Sequence, residues 1–128
     1  MIKGIGHVGI LVSDLEEAVA LYCDLFGLER LTEVTDWPGE GMKNVLLKVG
    51  GQAFELMEPT DPQGGLARFL ERRGEGLHHL NLEVDDVEGL AKSLEAKGVA
   101  ILGRGPGFCF VHPRSTRGVL FELIQSAK

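Results

Sequence analysis

The chain repeats itself, and the repeat constrains its fold more than any other feature. Gly4-Ile5-Gly6-His7-Val8-Gly9-Ile10-Leu11-Val12-Ser13-Asp14-Leu15-Glu16 is answered by Gly76-Leu77-His78-His79-Leu80-Asn81-Leu82-Glu83-Val84-Asp85-Asp86-Val87-Glu88, so that His79 follows His7 by 72 residues. The copies also close alike. Gly51-Gln52-Ala53-Phe54-Glu55-Leu56 is matched by Gly118-Val119-Leu120-Phe121-Glu122-Leu123, which sets Glu122 67 residues after Glu55. Each half offers one histidine early and one glutamate late. Halves of about sixty residues bury too little surface to stand alone. One domain over residues 1–128 is therefore expected, with a first module at about 1–58, a link with a short helix at about 59–75, and a second module at about 76–128.

Composition excludes several function classes. With 44% hydrophobic and 25% charged residues the chain reads as a soluble globular domain. A formal net charge of −6 argues against a nucleic-acid partner, which needs a basic face. No apolar run approaches the roughly 18 residues of a membrane span. The first residues enter a strand pattern directly, without a signal peptide, so a cytoplasmic location is expected. Cys23 and Cys109 have no CxxC spacing and are expected to be buried structural thiols.

The pattern along each half is strand, helix, three strands. Val8, Ile10 and Val12 alternate with His7, Gly9 and Leu11, which is strand periodicity. Ser13 and Glu16 form an S-x-x-E capping box ahead of Leu15, Ala18, Val19, Tyr22 and Phe26 at helical spacing, and Gly27 stops the helix. Leu28 to Val34 is expected to be a strand, and Asp36 to Gly41 a loop. Val45–Val49 and Ala53–Met57 form a hairpin about Gly50-Gly51. After the Pro-containing link, Leu66 to Arg73 is expected as a short helix burying Leu66, Phe69 and Leu70. Leu77 to Val84 repeats the first strand. Asp85 with Glu88 is expected to cap a helix carrying Val87, Leu90, Ala91 and Leu94, which ends at Gly98. Val99–Leu102, Phe108–Val111 and Val119–Ile124 complete the set, with Leu102 to Phe108 as a short connection.

Strand alternation decides where the polar side chains go. His7 points away from Val8, Ile10 and Val12; His79 points away from Leu80, Leu82 and Val84. Glu55 points away from Phe54 and Leu56, and Glu122 from Phe121 and Leu123. The apolar sets are the natural helix-packed faces, so all four ligand-type residues project to the opposite face. They converge if the halves curl together. Two neutral imidazoles and two carboxylates carry a charge that a divalent cation neutralises, and this donor set suits Fe, Co, Ni, Mn or Zn better than Ca. His78 faces away from His79 and reads as structural.

The repeated βαβββ units, with HVGILV and HHLNLEVDD, resemble the vicinal oxygen chelate superfamily (glyoxalase, bleomycin resistance, dioxygenase) over essentially the whole chain. That resemblance implies an α+β fold in which two βαβββ modules pair into a curved mixed sheet around a metal-binding cleft. Within the superfamily, RRGEGLHHLNLEVDDVEG and FVHPRSTRGVLFELIQ resemble the methylmalonyl-CoA epimerase family. A bacterial glyoxalase I would read more like DPDG-x-x-x-E where this chain has His112 to Gly118. The epimerase resemblance implies interconversion of the 2R and 2S forms of methylmalonyl-CoA by proton transfer through a metal-stabilised enolate, with an acyl-CoA partner. It maps His7, Glu55, His79 and Glu122 onto the metal positions and Glu122 also onto one proton-transfer carboxylate. The second such carboxylate precedes a glycine by two residues in the family. Here Gly39 occupies that position and Glu40 stands one residue on, with Asp36 a weaker substitute.

The connection Leu102 to Phe108 is also shorter than the family's segment there, which bears on substrate identity. Arg114 and Arg117, with Ser115, are candidates for a coenzyme A phosphate or the free carboxylate; His112 and Ser115 shape the cleft or close a turn, and Trp37 is a lid or a loop anchor. Alternatives are a glyoxalase-type lyase, a dioxygenase using Fe(II), or a non-catalytic drug-sequestering binder. By resemblance the protein is a homodimer.

Overall fold

Alternating apolar residues at Val8, Ile10 and Val12 make strand β1 (Ile2–Leu11) two-faced, and this sets up the packing of the first half. The computed structural model describes residues 1–127. After β1 come α1 (Leu15–Phe26), β2 (Glu29–Arg30), β3 (Thr35–Trp37), a 3-10 turn at Pro38–Glu40, β4 (Met42–Val49), β5 (Gln52–Pro59) and α2 (Gly65–Arg73). The second half carries β6 (Gly76–Val84), α3 (Val87–Ala96), β7 (Ile101–Gly105), β8 (Phe108–Val111), a 3-10 turn at Pro113–Ser115, and β9 (Phe121–Gln125). The fold is α+β, as the resemblance implies.

The chain divides into two compact units, residues 8–78 and residues 1–7 with 79 onward, so the boundary falls within β1 and within β6. In the first unit the strand order is β2-β4-β5-β1, with β3 also on β4. The pairings of β4 with β2, β3 and β5 are all antiparallel. Ile10, Val12, Leu15, Val19, Val45, Leu47 and Leu56 form its main core, under α1. Leu11 faces the other way and packs with Met42 and Met57 against Leu66, Phe69 and Leu70 of α2. In the second unit the order is β1-β6-β9-β8-β7, with β6 and β9 parallel and β7-β8-β9 antiparallel. Val84, Val87, Ala91, Cys109, Val111 and Leu123 form its core beneath α3.

Several local expectations are corrected. Helix α1 is capped by Asp14, whose side chain accepts from Glu17 N–H, not by Ser13. Ser13 instead donates both its backbone N–H and its hydroxyl to Glu75, each at 2.9 Å. Likewise Asp86, not Asp85, caps α3 by accepting from Gly89 N–H, while Asp85 receives the N-terminal ammonium at 2.6 Å. The strand expected over Leu28 to Val34 shrinks to Glu29–Arg30, because the Thr32 hydroxyl takes the Leu46 N–H at 3.0 Å and breaks the ladder. The loop expected over Asp36 to Gly41 begins as strand, with Asp36 opposite Lys43 and Trp37 opposite Met42.

The connection expected over Leu102 to Phe108 is largely β7, bulged between Leu102 and Gly105. Its glycines read as loop in the sequence, but they make room for rings. A Cβ at Gly103 would meet Phe110, and one at Gly105 would meet Phe108. Both cysteines are free thiols; Cys109 is buried as expected, whereas Cys23 is only partly buried, at the edge of the α1 core.

Candidate metal centre

Strand pleat places three of the ligand-type residues together. His7 lies near the middle of β1, His79 on β6, and Glu122 on β9. Glu122 is held between Phe121 and Leu123, which pack into the apolar core on the opposite face of the strand. Its carboxylate therefore leaves on the polar face. His7 Nε2 and His79 Nε2 are 3.0 Å apart. Glu122 Oε1 lies 3.2 Å from the first and 3.4 Å from the second. The imidazoles meet edge to face with centroids 5.1 Å apart.

These spacings fit a first-row divalent cation. Ligand bonds of about 2.1 Å set neighbouring donor atoms about 3.0 Å apart on an octahedron and about 3.4 Å on a tetrahedron. The observed set spans that range, with two nitrogens and one oxygen of suitable chemistry.

Two further residues frame the cluster. Asn81, two residues beyond His79 on β6 and opposite Glu122 in the parallel pair, donates Nδ2–H to Glu122 Oε1 at 3.2 Å. Phe110 lies opposite Glu122 on β8 and meets the His79 ring edge to face at 6.0 Å. Burial by itself pushes the Glu122 carboxyl up. Hydrogen bonds from His7 and His79, with their positive charge, outweigh it and hold the group at about 2.

Glu55 lies on β5 in the other unit and is buried at 8% exposure. Its Oε2 accepts from Asn44 Nδ2 at 2.8 Å, and Asn44 Oδ1 accepts from Trp37 Nε1–H at 2.9 Å. Trp37 thus anchors β3 to β4. Glu40 ends the 3-10 turn and is exposed. Arg114 and Ser115 lie on the second 3-10 turn and Arg117 in the loop behind it, all exposed. That turn is closed by His112 Nδ1, which accepts from Arg114 N–H, and is tied down by the Ser115 hydroxyl, which accepts from Ala100 N–H at 3.3 Å. Arg117 holds a left-handed conformation at φ 61. His78 packs against Phe69 at 4.7 Å, in line with a structural role.

Asn81 is the residue that pattern reading passed over. Its signal was present: it shares strand parity with His79 and so shares its face.

Residues 6–113 match the glyoxalase/bleomycin resistance protein/dioxygenase superfamily. The chain is 32% identical over 130 residues to the mitochondrial methylmalonyl-CoA epimerase of Homo sapiens, covering 95% of this chain and 73% of that one. It is 32% identical to the ethylmalonyl-CoA/methylmalonyl-CoA epimerase of Cereibacter sphaeroides, covering 98% and 99%. Among solved structures it is similar to a methylmalonyl-CoA epimerase in complex with methylmalonyl-CoA and NH4+, with a TM-score of 0.89 at 31% identity over 99% and 96% of the two chains. Among the described residues no helix is long and apolar enough to cross a membrane.

Proposed function

This chain belongs to the glyoxalase/bleomycin resistance protein/dioxygenase superfamily, and on that footing we propose that it interconverts the 2R and 2S forms of methylmalonyl-CoA. The observation that carries the proposal is the His7, His79 and Glu122 cluster, in a chain that aligns with epimerases along nearly all its length.

The reaction must remove the proton on C2, between a thioester and a carboxylate, and return one to the other face. His7, His79 and Glu122 would hold a divalent cation, which would supply Lewis-acid stabilisation of the negative charge that develops on the thioester oxygen. Glu122 directs Oε1 toward the imidazoles and Asn81, and Oε2 is the atom assigned to proton transfer at one face. The step draws on the acidity that the flanking carbonyls confer on C2–H. Glu40 is assigned the opposite face, and Glu55, the repeat counterpart of Glu122, a fourth ligand position. Arg114, Ser115 and Arg117 are assigned to the free carboxylate or the coenzyme A phosphates, which a guanidinium pairs well.

The test starts from one pure epimer. With protein and Co(II) it should pass to an equal mixture of both forms far faster than the same thioester alone, and a chelator should stop the conversion. Optical purity that persists as long as in the protein-free control contradicts the proposal. Assembly as a homodimer belongs to the same reading, and light scattering should return twice the 13.9 kDa chain mass.

A further inference from the structure

Asn81 is the least exposed polar side chain among the described residues, at 1%, and it sits beside the ligand cluster. Burying an amide costs free energy unless its polar atoms are bonded. Nδ2 meets that demand at Glu122 Oε1, 3.2 Å away. The same oxygen lies 3.2 Å from His7 Nε2 and 3.4 Å from His79 Nε2. The three donors on Oε1 are not equivalent. An imidazole that gives its Nε2 lone pair to a cation no longer donates a hydrogen bond from that atom. The Asn81 amide keeps its N–H in either state.

Room for this amide is made by a glycine. A Cβ at Gly6, the residue before His7, would overlap Asn81 Oδ1 and press on Glu83 Cγ at 3.1 Å. The two side-chain ends of Asn81 thus face two neighbours: Oδ1 over the bare Cα of Gly6, and Nδ2 toward Glu122.

We propose that Asn81, seated over Gly6, is a positioning residue that fixes the Glu122 carboxylate for metal binding. The proposal rests on the metal centre described above and not on the identity of the acyl substrate. Hydrogen bonds to a ligating carboxylate orient it and raise affinity, and their loss typically costs about 10–100-fold in metal binding.

The test uses the full chain, stripped of metal and titrated with Co(II), with affinity read by calorimetry and ligand geometry by the visible d–d spectrum. Asn81→Leu keeps the volume and removes the donor. It should weaken Co(II) binding about 10–100-fold and shift the spectrum. Gly6→Ala keeps the amide but displaces it, and should weaken binding in the same direction, so the proposal remains testable should Asn81→Leu fail to fold. Wild-type affinity with an unchanged spectrum in either folded variant overturns the positioning role while leaving the metal centre intact. A wild-type protein that takes up no Co(II) overturns both.

Discussion

His7 Nε2 and His79 Nε2 stand 3.0 Å apart although 72 residues separate them in the chain. Two imidazole lone pairs cannot face each other at that distance without a proton or a cation between them. Glu122 Oε1 closes the triangle at 3.2 and 3.4 Å. His7→Ala and His79→Ala should therefore each lower Co(II) affinity about 100-fold or more, beyond the range of outer-shell losses. Because the cation competes with protons for these nitrogens, wild-type affinity should fall as pH is lowered. Calorimetric titrations at several pH values measure both effects.

Without metal, the same cluster links stability to pH through Glu122. Its folded carboxyl sits at about 2 against an ordinary 4.5, held down by the two histidines against the opposing effect of burial. A depressed folded value contributes stability that is present above about 4.5 and lost as pH falls toward 2. The contribution is on the order of 3 kcal/mol. Urea midpoints of the apoprotein should drop over that window, and Glu122→Gln should flatten the profile.

Much of the fold and site was legible because strand parity and the repeat both survive folding. His7, His79 and Glu122 each sit opposite an apolar set that packs under a helix, and alternation alone assigns them to one face. The helix caps missed by one residue for a definite reason. Ser13 and Asp14, like Asp85 and Asp86, are all competent cap residues. The choice between them depends on Glu75 and the N-terminal ammonium, partners that no local window contains. The Leu102 to Phe108 stretch misled in the same way, since Gly103 and Gly105 make room for the Phe110 and Phe108 rings within β7, and only Gly107 serves the turn that follows.

Asp14→Ala and Asp86→Ala should each cost about 1 kcal/mol of unfolding free energy, by loss of the bonds to Glu17 N–H and Gly89 N–H. Glu16→Ala, in the abandoned capping box, should change stability by less than about 0.5 kcal/mol. Urea denaturation separates these values.

Glu55 accepts a hydrogen bond from the buried Asn44 amide, which in turn accepts one from Trp37. Glu55→Ala removes the acceptor and should cost about 1–3 kcal/mol, whereas Glu55→Gln retains an oxygen there and should cost less. Trp37 is the one tryptophan in the chain, so its fluorescence reports the change directly.

On the proposed function, this chain moves the C2 proton of an acyl thioester. Solvent deuterium incorporation at C2 of methylmalonyl-CoA, measured in D2O with Co(II), tests it most directly. Exchange should be far faster than without protein, abolished by chelator and strongly slowed in Glu122→Gln, by about 100-fold or more. Exchange no faster than the protein-free control, in protein that has bound Co(II), would contradict it.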